Sequence, residues 1–273
     1  MDLIFFDLDG TLLNDASEIS TFTKDTLILL GEKNIAYTVA TGRTMLSAQS
    51  ILEGHPFELP QIYNNGVTTW DPKIQQLTLE NLLDHAEIST IVDMAIKQGI
   101  APFVNTIDNA QHHFTFHTEP RHDVEQELIF KYFSKSKATL LPLEVLPIDS
   151  QVTNISMIGA ADTINEMWLE LNTRENLIAY SGPALEGKKF RWMDVHHRQA
   201  SKGSAVTNLK NKLGASNIIC FGDSDNDLSM FALANESYAP ENAKAEVKKA
   251  ATTVIGHNHK DGIAHFLRER FSL

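Results

Sequence analysis

Apolar residues fall along this chain in recurring rhythms. Leu3-Ile4-Phe5-Phe6 is a continuous apolar run that stops at a carboxylate, Asp7. A short run without alternation fits a strand buried on both faces, as in a parallel sheet. Thr23 to Lys33 then carries apolar side chains at Leu27, Ile28 and Leu30, a spacing that predicts a helix. Ile35 to Ala40 reads as a second strand, ending at Thr41-Gly42-Arg43. Thr44 to Leu52 returns to helical spacing, and Gln61-Ile62-Tyr63 leads into the polar turn Asn64-Asn65-Gly66. The same rhythm returns late in the chain. Ser204 to Leu213 is helical in spacing, Asn217 to Phe221 is an apolar strand, and Asp227 to Ala234 is again helical. Thr252 to Ile255 and Gly262 to Phe271 predict a last strand and helix. Strand and helix in alternation imply an α/β, doubly wound parallel sheet with right-handed crossovers.

The middle of the chain reads differently. Helices are expected at Glu87–Gln98, His122–Ser134 and Thr163–Thr173, with Phe130 and Trp168 spaced as core residues. Strands are expected around Pro102–Ile107, Gln111–His117, Val152–Gly159, Ile178–Ser181 and Phe190–Asp194. Several of them alternate, and Ile107-Asp108-Asn109-Ala110 has the composition of a hairpin connection. An α+β insert inside the α/β domain follows, with expected boundaries at 1–82, 83–187 and 188–273.

Composition narrows the function classes. The chain has 273 residues, 42% hydrophobic and 21% charged, as in an ordinary globular protein able to bury a full core. With 23 Lys plus Arg against 35 Asp plus Glu, the formal net charge is −12. A field of that sign repels nucleic-acid backbones and anionic membrane surfaces, so neither is an expected partner. One local cation can still hold a small phosphorylated metabolite. Cys220, within Ile218-Ile219-Cys220-Phe221, rules out an intrachain disulfide and reads as a buried, inert thiol. No apolar stretch is long enough for a membrane span, and the start of the chain lacks the pattern of a signal peptide. A cytoplasmic protein, monomeric or a small homo-oligomer, is expected.

Polar residues cluster after the apolar strands, where an open α/β sheet forms its ligand crevice. Asp7-Leu8-Asp9-Gly10-Thr11 puts two carboxylates at i and i+2, which an extended segment aims to one side. Gly10 then permits a tight turn. A carboxylate at a strand end can attack phosphorus, and a second one can protonate the leaving oxygen. Gly222-Asp223-Ser224-Asp225-Asn226-Asp227 follows another apolar strand and adds three carboxylates. Magnesium takes such hard oxygen ligands, usually one or two carboxylates with phosphate and water, and Asp7 with Asp223 is the natural pair. An acidic helix start would account for one or two of these acids, but not for matching clusters at two strand ends. Asp225 is expected to be solvated.

Asp7-Leu8-Asp9-Gly10-Thr11-Leu12, Thr41-Gly42-Arg43, Ser201-Lys202-Gly203 and Gly222-Asp223-Ser224-Asp225-Asn226-Asp227 resemble, in order, the four signatures of the haloacid dehalogenase superfamily. The Asn64-Asn65-Gly66 turn and the position of the insert resemble its Cof-type branch (type IIB), a Rossmann-like core with a large α+β cap. The resemblance implies a magnesium-dependent phosphatase. Asp7 would be the nucleophile and a metal ligand, and Asp9 the general acid/base, ligating metal through its backbone carbonyl. Thr41 would hydrogen-bond the phosphoryl group, with Gly42 and Arg43 beside it. Lys202 would neutralise charge, Asp223 and Asp227 would serve the metal, and Asn65 and Asn226 would line the phosphate pocket. Taken alone, Lys202 is an ordinary surface lysine and Thr41 an ordinary helix cap; their claims rest on the order of the motifs. The family commonly has a glycine before the asparagine of a later loop, where this chain has Ala239-Pro240-Glu241-Asn242-Ala243.

Within the insert, His112, His113, His117, Arg121, His122, Lys188, Lys189 and Arg191 are candidates to meet the rest of a substrate. Alternation puts His113 and His117 on one face and His112 on the other, which favours exposed strand histidines over a metal site. The resemblance implies sugar phosphates or phosphorylated cofactors as substrates. A phosphosugar mutase using the same aspartates is the alternative enzyme. A non-catalytic phosphate sensor is the alternative outside enzymes, and a dehalogenase would leave the magnesium carboxylates without a purpose.

Overall fold

The computed structural model describes residues 1–131 and 136–273, so the last residues of the helix expected at His122–Ser134 lie outside the described residues. The chain divides into two compact units, one formed by Met1–Thr78 with Ser201–Leu273 and the other by Leu79–Ala200. The first unit opens with β1 (Asp2–Phe6), α1 (Thr21–Glu32), β2 (Ala36–Val39), α2 (Met45–Leu52) and β3 (Gln61–Tyr63). Two strands absent from the sequence expectation follow, β4 (Thr68–Asp71) and β5 (Gln76–Leu79). They join β3 in a small three-stranded sheet.

The second unit continues with α3 (His85–Lys97), β6 (Phe103–Ile107), β7 (His113–His117), α4 (Asp123–Lys131) and β8 (Thr139–Pro142). It ends with β9 (Val152–Ala160), α5 (Ala161–Asn172), β10 (Leu177–Pro183) and β11 (Phe190–His197). Its sheet runs β10-β11-β9-β6-β7-β8. The expected return to the first unit at residue 188 falls too early. Phe190–His197 pairs antiparallel with β9 from Phe190↔Ala160 to Val195↔Ile155, so this strand belongs to the second unit. Phe130 and Trp168 are not core residues: Phe130 is 72% exposed and Trp168 is 37% exposed. The Trp168 indole N–H donates to the Ala179 carbonyl at 2.8 Å, a polar need that holds the ring at the margin of the core.

The chain returns through α6 (Lys202–Leu213), β12 (Asn217–Phe221), α7 (Leu228–Phe231), β13 (Glu236–Pro240), α8 (Ala245–Ala250), β14 (Thr253–Ile255) and α9 (Gly262–Phe271). The main sheet of the first unit is ordered β14-β13-β12-β1-β2, with all pairings parallel. The uninterrupted apolar run of β1 is explained by its two buried faces. Ile4 and Phe6 pack into one cluster with Leu27, Leu30 and Leu267, while Leu3 and Phe5 pack into another with Val206, Leu209 and Val247. Each fully buried side chain of this size contributes about 1.5–3 kcal/mol. Central β1 has β2 on one side and β12 on the other. The chain winds away from it in opposite directions, which opens a crevice at the carboxyl ends of these strands.

Candidate active site

Register brings the two acidic signatures together. Phe6 pairs with Phe221, so Asp7 and Gly222 leave adjacent parallel strands at the same level. The Asp7 N–H still donates to the Phe221 carbonyl at 3.0 Å. Beyond Asp7 the chain makes one wide turn, closed by Leu12 N–H to Asp7 O at 3.2 Å and Leu13 N–H to Leu8 O at 2.9 Å. Gly10 sits in that turn at φ +70°, and a Cβ there would lie 2.5 Å from an Asp223 carboxylate oxygen. The glycine is therefore required twice, for its backbone angle and for the approach of Asp223. Carboxylate oxygens of Asp7, Asp223 and Asp227 lie within 4.8 Å of one another.

Lys202 completes this cluster. Ser201 caps α6 by accepting the Ser204 N–H at 3.1 Å, which makes Lys202 the first residue of the helix. A cation there opposes the helix dipole. Two carboxylates offset that cost: Lys202 Nζ donates to Asp7 Oδ1 at 2.5 Å and to Asp227 Oδ1 at 2.6 Å. The lysine is fully buried, far from the surface position its residue type favours. Burial alone would pull its pKa down, but the charges of Asp227 and Asp7 hold it above the ordinary value. Asp227 spends its other oxygen on its own loop, accepting the N–H groups of Asp223 and Ser224 at 2.9 Å each. It fixes the loop and the lysine, leaving Asp7 and Asp223 as the freer carboxylates.

Burial pushes the Asp7 carboxyl well up, with Lys202 opposing and Asp227 and Asp223 adding to the shift. Burial likewise raises Asp223 to about 7, with Asp227 next in effect. Two carboxyls held against ionisation beside a single ammonium form a cluster short of positive charge. A hard divalent cation fits that deficit and that donor set.

The remaining signature residues converge from β2 and β3. Ala40 bridges to Ile62, and the Asn65 N–H donates to the Thr41 carbonyl at 3.0 Å. Asn64 and Asn65 hold positive φ at 49° and 53°, a conformation asparagine tolerates better than most residues. Asn226 Nδ2 donates to Asn65 Oδ1 at 2.8 Å. Gly42 lies against this amide pair, where a Cβ would approach Asn65 Oδ1 to 3.2 Å. Thr41 is buried, and its hydroxyl oxygen accepts the Arg43 N–H at 3.1 Å. The cap of α2 is Thr44, which accepts the Ser47 N–H at 3.2 Å.

Two features were not foreseen from sequence. Arg43, expected beside the phosphoryl group, forks its guanidinium onto Asp9, with Nε and a terminal nitrogen each 2.6 Å from a carboxylate oxygen. The departing stretch Ala239–Ala243 closes on the nucleophile loop: Asn242 Nδ2 donates to Gly10 O at 2.7 Å. Asn242 lies just beyond β13, a strand absent from the sequence expectation. Asp225 is exposed, as expected, and pairs with Lys244 at 2.6 Å, outside the cluster. The fork had no signal beyond the shared polarity of the two motifs. Asn242 did, because the departure from the usual pattern singled it out.

In the second unit, the expected substrate candidates mostly serve local structure. Arg121 donates to the Ile96 carbonyl at 2.9 Å, His122 lies 3.1 Å from the Gly99 carbonyl, and Arg191 donates to Ser181 Oγ at 3.2 Å. His112 is exposed beside Asp108, whereas His113 and His117 are half-buried. Lys189 lies over the Phe190 ring, and Lys188 is exposed.

The profile of the haloacid dehalogenase-like hydrolase family matches residues 4–267. A Bacillus subtilis protein named putative phosphatase YxeH is 24% identical, covering 98% of this chain and 97% of its own length. The 5-amino-6-(5-phospho-D-ribitylamino)uracil phosphatase YwtE of the same organism is 26% identical, covering 100% and 99%. Among solved structures, a subclass IIB sugar phosphatase superposes with a TM-score of 0.75 at 20% identity, covering 100% and 99%. The chain belongs to the haloacid dehalogenase-like hydrolase family and is an enzyme of its phosphatase class. Its fold is that of the subclass IIB proteins. Among the described residues, no helix is long and apolar enough to cross a membrane.

Proposed function

We propose that this chain hydrolyses a small phosphomonoester, a sugar phosphate or a phosphorylated cofactor, through a phosphoryl group carried transiently on Asp7. The observation that supports this most directly is the buried Lys202 ammonium, 2.5 Å from the Asp7 carboxylate and 2.6 Å from Asp227. An anionic nucleophile approaching an anionic ester needs fixed positive charge at the point of attack. Asp7 attacks phosphorus in line with the ester bond while Lys202 neutralises the equatorial oxygens. Asp9 exchanges its Arg43 fork for the ester oxygen, protonates the departing alcohol, and then removes a proton from the water that attacks phospho-Asp7. Thr41, Asn65 and Asn226 hold the phosphoryl oxygens, with Gly42 admitting their approach.

Magnesium would be held by Asp7, Asp223 and the backbone carbonyl of Asp9, with Asp227 keeping the Asp223 loop and Lys202 in place. When bound, the ion supplies further positive charge to the phosphoryl group. The unit Leu79–Ala200 is read as an inserted cap domain. Curated relatives named for phosphorylated metabolites, including the ribitylaminouracil phosphatase and a pyridoxal phosphate phosphatase of Escherichia coli, support the substrate class.

Purified protein with magnesium is expected to release phosphate from an aryl phosphate. Chelation of the metal should stop release, and Asp7→Asn should lower it by about a thousandfold or more. Undiminished release by that variant would overturn the proposal.

A further inference from the structure

The second unit contains an open cavity of about 400 Å³. It is built wholly from that unit, whereas the aspartate cluster belongs wholly to the first. Its size lies in the range of small-molecule pockets. Phe114 and Phe116 of β7, Leu141 of β8, and Val145 and Pro147 of the following segment form an apolar wall. Val145 is 56% exposed at its lip. Asp108 and Asp149 also line the cavity, and among its described lining residues none is lysine or arginine. One oxygen of the Asp108 carboxylate accepts the N–H groups of Ala110 and His112, at 2.9 and 2.8 Å, and the other lies 3.2 Å from the His112 ring, which leaves Asp149 as the freer acid. Asp149 is exposed, and no described lysine, arginine or histidine pairs with it.

A cavity with apolar walls and acidic ends selects by charge as well as by shape. A phosphate or carboxylate entering it would be desolvated without gaining a lysine or arginine, while an ammonium would gain the Asp149 carboxylate. We propose that this cavity is a second ligand site, which takes a small amine with a ring-sized apolar body, opposite in charge to the phosphoester substrate. The ring rests against Phe114, Phe116 and Leu141, and the ammonium reaches Asp149.

The test is calorimetric titration of the full chain with phenylbutylamine and with phenylbutyrate, which share an apolar body and differ in charge. The amine is expected to bind at least about tenfold more tightly than the acid. Leu141→Trp, which fills the cavity, should abolish binding of both. Val145→Arg places a cation at an exposed position on the lip and should reverse the preference, and it decides the matter alone if the tryptophan variant does not fold. Equal affinities, an amine preference that survives both substitutions, or no saturable binding up to about 10 mM would each overturn the proposal. No phosphoester is present in the titration, so its outcome is separate from that of the hydrolysis assay.

Discussion

The two units bury charge in opposite ways. In the first, Lys202 is enclosed by two carboxylates, and the cluster is completed by a third acid, Asp223, with which no described lysine or arginine forms an ion pair. In the second, the fully buried Glu125 takes its hydrogen bonds from neutral backbone. Its oxygens accept the N–H groups of Ala101 at 2.7 Å, Arg121 at 2.6 Å and His122 at 3.0 Å. A caged carboxylate of this kind ties the start of α4 to the loop before β6, with three of its roughly four acceptor positions taken by backbone. The first arrangement leaves charge unbalanced at the mouth of a sheet, where a ligand can complete it. The lesson is that burial of an acid does not mark a functional site; burial together with unbalanced charge does.

Breaking the first arrangement should have the larger consequences. Lys202→Ala leaves two buried carboxylates facing each other, at a cost of about 3–5 kcal/mol in stability by chemical denaturation. Phosphate release per folded molecule should fall by roughly 10²–10³, because the charge it removes is one the transition state needs. A variant that lost stability but kept its turnover would make the lysine a structural residue only. Glu125→Ala should reverse that pattern. Three backbone donors lose their acceptor, and a loss of about 3 kcal/mol is expected with turnover of the folded fraction unchanged.

A third acid sharpens the comparison through pH. Asp194 on β11 pairs across the sheet with Ser156, and Asn154 Nδ2 lies 3.4 Å from its carboxylate. Burial raises its pKa, with Ser156 and Asn154 opposing. A carboxyl whose folded pKa lies above its unfolded value favours the unfolded chain once ionised. That penalty is absent below the unfolded value, near 4, and develops as pH rises through the folded value. Asp194→Asn is therefore expected to raise Tm at pH 8 and to leave it nearly unchanged at pH 4. A lowered Tm at pH 8 would mean that the carboxylate itself holds the sheet together.

Much of this was legible in the sequence because the signals were local. The run Leu3–Phe6 had to be buried on both faces, and parallel register then fixed Asp7 beside Gly222 without further information. Helix spacing located α1, α6 and α9 within a residue or two. What escaped was decided by partners distant in sequence. β4 and β5 are short and polar in part, and they form by pairing after the Asn64-Asn65-Gly66 turn. β11 carries the same alternation as a strand of either unit, so its place depends on β9. Lys202 shows the limit most clearly. Nothing near it in sequence predicts burial; the two carboxylates that make burial tolerable come from the residue after β1 and from the loop after β12. The Arg43–Asp9 fork joins residues 34 positions apart and has the same explanation.

The account turns on whether Asp7 carries the phosphoryl group. The most direct measurement is acid quenching during turnover of an aryl phosphate with magnesium, followed by mass analysis of the peptide containing Asp7. The expected result is a fraction of that peptide heavier by one phosphoryl group, lost in Asp7→Asn. Steady phosphate release with that peptide never modified at any quench time, and with Asp7→Asn as active as the parent, would contradict it.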